Sequence, residues 1–140
     1  MTEEIHDGGC VCGAIRFKTK GQPRRAFVCH CTYCQRASGS AFVAEALFLK
    51  EAVEMEGGPI STYEHKSDET GRALYIEFCP KCSARVGMRL EWVPELRGVF
   101  VGTFDDPDWV EIDRHIFARS ALKWVTYPEN VQVYQTHWLY

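Results

Sequence analysis

Apolar and polar residues alternate with a period of two through much of the chain. Ala14-Ile15-Arg16-Phe17-Lys18 alternates, as do Leu74-Tyr75-Ile76-Glu77-Phe78 and Val131-Gln132-Val133-Tyr134. A period of two sends successive side chains to opposite faces of a strand, so these segments predict half-buried strands. Residues 42–48 and 99–101 are apolar runs of strand length. Turn formers separate the runs at Gly8-Gly9, Gly21-Gln22-Pro23, Gly57-Gly58-Pro59, Asp105-Asp106-Pro107-Asp108 and Pro128-Glu129-Asn130. Only residues 32–37 and a turn around 120–124 suggest helix, and residues 51–56 show no clear period. The absence of a strand–helix alternation weighs against Rossmann and thioredoxin-like folds. The expectation is a mainly β fold of antiparallel sheets with short helical turns.

Composition narrows this little. The chain has 140 residues, 46% of them hydrophobic, 25% charged and 13% aromatic, the size and balance of one globular domain spanning residues 1–140. Its formal net charge of -3 argues against a general nucleic-acid or anionic-membrane surface. No apolar run approaches the roughly 18 residues of a membrane span. The opening residues Met1-Thr2-Glu3-Glu4-Ile5-His6-Asp7 lack the basic and apolar regions of a secretory signal, so a reducing cytoplasm is the expected address.

The seven cysteines change the picture. An odd count cannot pair completely, and a reducing compartment disfavours disulfides. They fall in three groups: Cys10-Val11-Cys12, Cys29-His30-Cys31-Thr32-Tyr33-Cys34 and Cys79-Pro80-Lys81-Cys82. Such short spacings bring two or three sulfurs round one ion, and zinc suits thiolate ligands. Seven ligands divide naturally into four, which close a tetrahedron, and three, which leave one position open. Cys29, Cys31 and Cys34 are contiguous enough to form the open site. Cys10, Cys12, Cys79 and Cys82 would then form the closed one. Three other readings stand beside this. Cys31, Cys34, Cys79 and Cys82 alone would make a zinc ribbon, although their separation exceeds the roughly 15 to 20 residues usual there. Either C-x-x-C would serve as a redox dithiol, although no long helix follows to lower a thiol pKa. All seven would be buried structural thiols.

At these residues the chain resembles the glutathione-dependent formaldehyde-activating family, which includes centromere protein V. The resemblance starts at Gly9-Cys10-Val11-Cys12-Gly13-Ala14-Ile15-Arg16-Phe17 and is most specific from Cys29 to Phe42 (CHCTYCQRASGSAF). It continues through Phe78-Cys79-Pro80-Lys81-Cys82 to His115-Ile116-Phe117-Ala118-Arg119-Ser120-Ala121. It implies an Mss4-like, or β-tent, fold stabilised by two zinc ions per chain. Cys10, Cys12, Cys79 and Cys82 would hold the structural ion, and Cys29, Cys31 and Cys34 the catalytic one. One departure is Ser83, where such proteins commonly carry glycine. The implied activity is that of a carbon–sulfur lyase, S-(hydroxymethyl)glutathione synthase, which joins glutathione to formaldehyde. The expected partner is therefore a small thiol such as glutathione, with no nucleic acid and no membrane. A zinc-stabilised protein-binding module and another zinc-dependent lyase or hydrolase chemistry stay open beside it.

Other candidates carry weaker signals. His30, between two thiols, is either a proton shuttle or a packing residue on the opposite face, and strand alternation favours the second. His6, His65, His115 and His137 lack a partner motif and read as surface or packing residues. A carboxylate-bearing thiol calls for Arg or Lys; Arg36 is best placed by sequence, with Arg119 next. Ser38-Gly39-Ser40 reads as a turn or as a source of backbone N–H groups for an anion. Trp92, Trp109, Trp124 and Trp138 are expected to build the core or flank a cleft.

Overall fold

A strand with one buried face anchors the first of two sheets. In β2 (Ile15–Lys20), Ile15, Phe17 and Thr19 turn inward while Lys18 and Lys20 face solvent. It lies between β1 (Ile5–Gly9) and β5 (Val53–Gly57) in a three-stranded antiparallel sheet. The computed structural model describes residues 3–68 and 70–137.

The second sheet collects β3 (Arg25–Cys29), β4 (Val43–Leu49), β6 (Ser61–Lys66), β7 (Ala73–Phe78), β8 (Arg85–Leu90), β9 (Leu96–Phe100), β10 (Arg114–Ile116) and β11 (Gln132–Val133). Their order is β11-β10-β3-β4-β9-β8-β7-β6. The pairing is antiparallel except at one end, where β10 runs parallel to both β3 and β11. That parallel pairing departs from the purely antiparallel expectation. The long, turn-rich connection after β9 carries the chain back to β3 in the same direction, which a tight hairpin cannot do.

The two sheets pack through a shared layer. Phe17 and Val53 of the small sheet meet Ala26, Ala46, Phe48 and Val99 of the large one, with Phe104 completing the cluster. On the opposite face Phe27, Leu47, Ile76, Met88 and Phe100 form the main core. β4 contributes to both layers and is buried along most of its length, which is why it reads as an apolar run rather than an alternation.

The helix α1 spans Thr32–Ser38, one residue beyond the expected end. Cys31 caps its start and Gly39, at φ 67, its end, where the Gly39 N–H donates to the Gln35 carbonyl. The turn expected at 120–124 forms around Lys123–Trp124, where the Val125 N–H donates to the Leu122 carbonyl (3.1 Å), and a 3-10 turn at Ala118–Ser120 precedes it. Residues 51–56 divide between a 3-10 turn at Lys50–Ala52 and the start of β5. Trp92 and Trp109 are half-buried, but Trp124 is 67% exposed and does not join the core. Trp138 lies outside the described residues.

The segment leading into Cys10 is held by a close backbone approach. Gly8 bridges Phe104, and the Asp105 N–H donates to the Asp7 carbonyl at 2.9 Å. A Cβ on Gly8 would stand 2.4 Å from both Phe17 Cζ and the Thr103 carbonyl oxygen. Gly8→Ala is therefore expected to cost about 1–3 kcal/mol or more, because backbone must shift to admit the methyl group. A chemical denaturation curve with a lowered midpoint and unchanged slope is the expected readout.

Candidate metal centres

Two turns build the four-thiol group. Cys10 and Cys12 lie between β1 and β2, and Cys79 and Cys82 between β7 and β8. In the first turn the Cys10 N–H donates to the Ile15 carbonyl (3.0 Å) and the Gly13 N–H to the Cys10 carbonyl (3.2 Å). In the second the Cys79 N–H donates to Ala84 (2.9 Å) and the Ser83 N–H to Cys79 (2.7 Å). Ser83 holds a left-handed φ of 67°, a conformation that costs a residue with a Cβ roughly 1–2 kcal/mol. The turn forms despite the serine.

The ligand atoms of Cys10, Cys12, Cys79 and Cys82 all lie within 4.8 Å of one another. The Cys10–Cys12 and Cys12–Cys79 sulfur separations are both 3.7 Å. Four sulfurs about 2.3 Å from one ion at tetrahedral angles stand roughly 3.8 Å apart, so the group has the dimensions of an S4 metal cage. Cys79 is fully buried, Cys10 buried, Cys82 half-buried and Cys12 exposed. All seven thiols of the chain are free.

The three-thiol group forms locally. Cys29 ends β3, Cys31 caps α1 and Cys34 lies within it, their sulfurs again within 4.8 Å of one another. The Cys34 N–H donates to Cys31 Sγ at 3.2 Å. Among the described residues no further Cys, His, Asp or Glu joins this group. Since Cys31 and Cys34 pair with Cys29, and Cys79 and Cys82 with Cys10 and Cys12, the single zinc-ribbon arrangement does not form.

Crowding forces the thiols of each group apart in acidity. Hydrogen bonds from Cys29 and Cys34 push the Cys31 thiol down to about 3. The contact with Cys31 raises Cys29 and those with Cys29 and Cys31 raise Cys34, with burial adding to both. In the four-thiol group the backbone N–H groups of Ala84 and Cys12 bring Cys82 down to about 6. Cys12 gains from the Ala14 N–H, but its sulfur neighbours outweigh that and push it up to about 11. Without a cation each cluster is a thiolate solvated by its neighbours' S–H groups, and a soft divalent ion that displaces those protons relieves the conflict.

His30 packs away into a second layer. Its backbone N–H donates to Ile116 (3.1 Å), and its carbonyl accepts from Gln35 Nε2 (2.8 Å), which also donates to the Ser120 carbonyl (2.8 Å). The fully buried ring makes a 2.8 Å Nε2–Nδ1 hydrogen bond with His115, and Phe42 and Tyr127 meet it edge-on. Burial lowers the pKa of both imidazoles, His115 adding to the effect on His30. His115 is thus a specific partner rather than an unpaired packing residue. His6 stacks on Trp109 and His65 on Tyr33, each at 3.6 Å.

A cleft of about 450 Å³ has Ser38, Phe42, Val43, Ser83, Arg85 and Phe100 in its walls; none of the cysteines lines it. Arg85, which the sequence reading did not single out, supplies its cationic side chain. Arg36 and Arg119 are exposed and do not line it. Ser38-Gly39-Ser40 is a capping turn: Ser38 Oγ donates to the Cys34 carbonyl (2.7 Å) and accepts from the Ser40 N–H (3.1 Å). Glu45 on β4 is buried, and desolvation together with the Cys31 thiolate pushes its carboxyl up to about 8 against the opposing charge of Arg85.

Fold and clusters define a mainly β, Mss4-like protein with a four-cysteine and a three-cysteine metal-binding group. The sequence profile described as "Glutathione-dependent formaldehyde-activating enzyme" matches residues 5–120, and the chain belongs to that family. A crystal structure of a Rhodobacter sphaeroides protein superposes with a TM-score of 0.57 at 22% identity, covering 76% of this chain and 96% of the other. That likeness speaks to the fold. No curated protein matches the chain.

The two groups differ in what they hold together, so single replacements should separate them. Cys79→Ser is expected to lower thermal stability sharply, because a closed metal site contributes folding free energy directly. Cys34→Ser should retain a near-wild-type melting temperature while one metal ion per chain is lost. Melting curves and metal analysis on the two variants check this.

Proposed function

We propose that the three-thiol group holds a zinc ion with one position left for a small thiol, and that the protein presents this thiol to formaldehyde or a related carbonyl. The observation that carries the reading is the ligand count: three converging sulfurs and no fourth protein ligand among the described residues. Zinc, when bound, supplies a Lewis-acidic position that lowers the pKa of an added thiol.

The chain's own contributions follow from its geometry. Cys29, Cys31 and Cys34 hold the ion; the His30 backbone, donating its N–H to the Ile116 carbonyl and accepting from Gln35 Nε2, keeps their loop in place. Three anionic sulfurs overcompensate a divalent charge, so the site is a weaker carbonyl activator than a histidine-ligated one. Capture and orientation of the thiol are then its main work, in the sense of a carbon–sulfur lyase run toward addition. The thiol sulfur bonds to the carbonyl carbon, and the thiol proton ends on the carbonyl oxygen. Glutathione and formaldehyde, named in the family's description, are the first pair to assay. The four-thiol group holds a second, structural zinc in a single domain. Free thiols at this density suit a reducing cytoplasm.

Protein purified under reductant is expected to carry two zinc ions per chain and to fall to one on mild chelation. Glutathione should protect the labile ion. A single chelation-resistant zinc in fully reduced, zinc-resupplied protein would instead favour a structural module that binds proteins. The labile site's affinity should rise with pH. Cys29 and Cys34 hold their protons at neutral pH while Cys31 does not. Zinc uptake thus releases two protons, and affinity should climb by up to about a hundredfold per pH unit. Competition with a chromophoric chelator at a series of pH values measures the slope.

A further inference from the structure

The geometry points to His115 as a positioning residue for the three-cysteine group, acting through a hydrogen bond to the buried ring of His30. This rests on the reading that the group holds an exchangeable zinc, and adds to it what fixes the three sulfurs.

His30 stands between two ligand residues and is tied down by backbone and ring together. Its N–H donates to the Ile116 carbonyl (3.1 Å), and its carbonyl accepts from Gln35 Nε2 (2.8 Å). Its ring makes the 2.8 Å bond to His115. Two of these contacts lead directly to β10, which runs parallel to β3 with His115 beside Val28 and Ile116 beside Cys29. The third leads to the same stretch of chain, because Gln35 Nε2 also donates to the Ser120 carbonyl (2.8 Å). Two backbone bonds alone leave the peptides flanking His30 able to rock about the line that joins them. The ring bond is a point off that line and removes this freedom. Metal ligands need placement to within about 0.5 Å, so the orientation of these two peptides is the orientation of Cys29 and Cys31.

The support behind His115 is itself rigid. Phe117 holds a left-handed φ of 54°, which a bulky residue rarely adopts. Its N–H donates to the Thr136 carbonyl (3.1 Å), the Ala118 N–H to Tyr134 (3.0 Å) and the Tyr134 N–H to the His115 carbonyl (2.9 Å). Such a conformation persists where surrounding bonds over-determine it.

The direction of the ring bond follows from what is left over. His30 is fully buried, and its Nδ1 has no hydrogen-bond partner. Burial favours the neutral form of both imidazoles. A buried N–H without an acceptor is rarer and costlier than a buried lone pair without a donor. The shared proton therefore sits on His30 Nε2, and His115 Nδ1 accepts it. Phe42 and Tyr127, edge-on to the His30 ring, hold its plane.

Zinc competition with a chromophoric chelator, run under reductant on full-length wild type, His115→Asn, His115→Gln and His115→Leu, tests this. Asn carries its carbonyl oxygen where the imidazole carries Nδ1, whereas Gln carries its own where Nε2 stands. His115→Gln and His115→Leu should lose about tenfold or more in affinity for the labile ion, the range of a lost outer partner of a metal site. His115→Asn should stay close to wild type, and all three variants should keep the chelation-resistant ion. Melting temperatures of the Asn and Gln variants should be alike, so that the gap in affinity does not track stability. Equal affinity in wild type and His115→Gln overturns the assignment, as does an equal loss in the Asn and Gln variants. Where variants fail to fold, NMR spectra of isotopically labelled wild type decide: a proton on His30 Nε2 and a bare His115 Nδ1 support the assignment, and a proton on His30 Nδ1 overturns it. A wild type with a labile ion and unaffected variants removes His115 alone. A wild type without a labile ion removes the zinc reading as well.

Discussion

Sulfur crowding is the constraint on which the rest of this structure depends. Four thiols from two distant turns are held with sulfur separations as short as 3.7 Å, one pair 67 residues apart in sequence. Cys10 and Cys79 pack with Ile15 and Val86 in a layer of their own. Several thiolates in such a space repel one another, and several thiols leave weak donors facing each other. A shared soft cation is the arrangement that satisfies all four. What it joins matters more than the bonds themselves. One turn belongs to the three-stranded sheet and the other to the eight-stranded sheet, so the cluster clamps the two layers at one end. The apolar layer of Phe17, Val53, Phe48 and Val99 then closes between them.

The three-thiol group bears no such load. Its ligands come from one strand end and the first turn of a seven-residue helix, and the loop between them is pinned by backbone hydrogen bonds. The polypeptide there is fixed without an ion. This division gives a physical reason for one site to be structural and the other exchangeable, independent of family membership. It also gives the helix a purpose beyond packing. Cys31 serves at once as helix cap and as ligand, its sulfur accepting the Cys34 N–H, so the group that satisfies the helix end is the cluster's most acidic thiol.

The ligands were legible in the sequence because each group is local: C-x-C, C-x-C-x-x-C and C-x-x-C place sulfurs together whatever the surrounding topology. The alternating strands β2 and β7, and the doubly covered β4, were legible for the same local reason. β1, with Gly8-Gly9 inside it, read as a turn; its antiparallel pairing with β2 and the bridge from Gly8 to Phe104, far along the chain, hold it extended. β10 is three residues long and owes its existence to a parallel partner. The cleft residues failed on the same ground. Arg36 is close to Cys34 in sequence but points to solvent, whereas Arg85 reaches the cleft because strand register carries β8 past β9 and Phe100. The His30–His115 contact likewise joins residues 85 positions apart.

These points bear on how far family membership carries. A family profile built round cysteine positions reports the parts of the molecule that local spacing encodes: the clamp, the open cluster and the sheets they require. The cleft is built elsewhere, by side chains such as Arg85, Phe42 and Phe100 that meet only after folding. A fold can be retained while such residues change, which is why one architecture hosts several chemistries. The metal site and the cleft therefore answer different questions. The first is written in local cysteine spacing, and the second in the strand register that brings distant residues together.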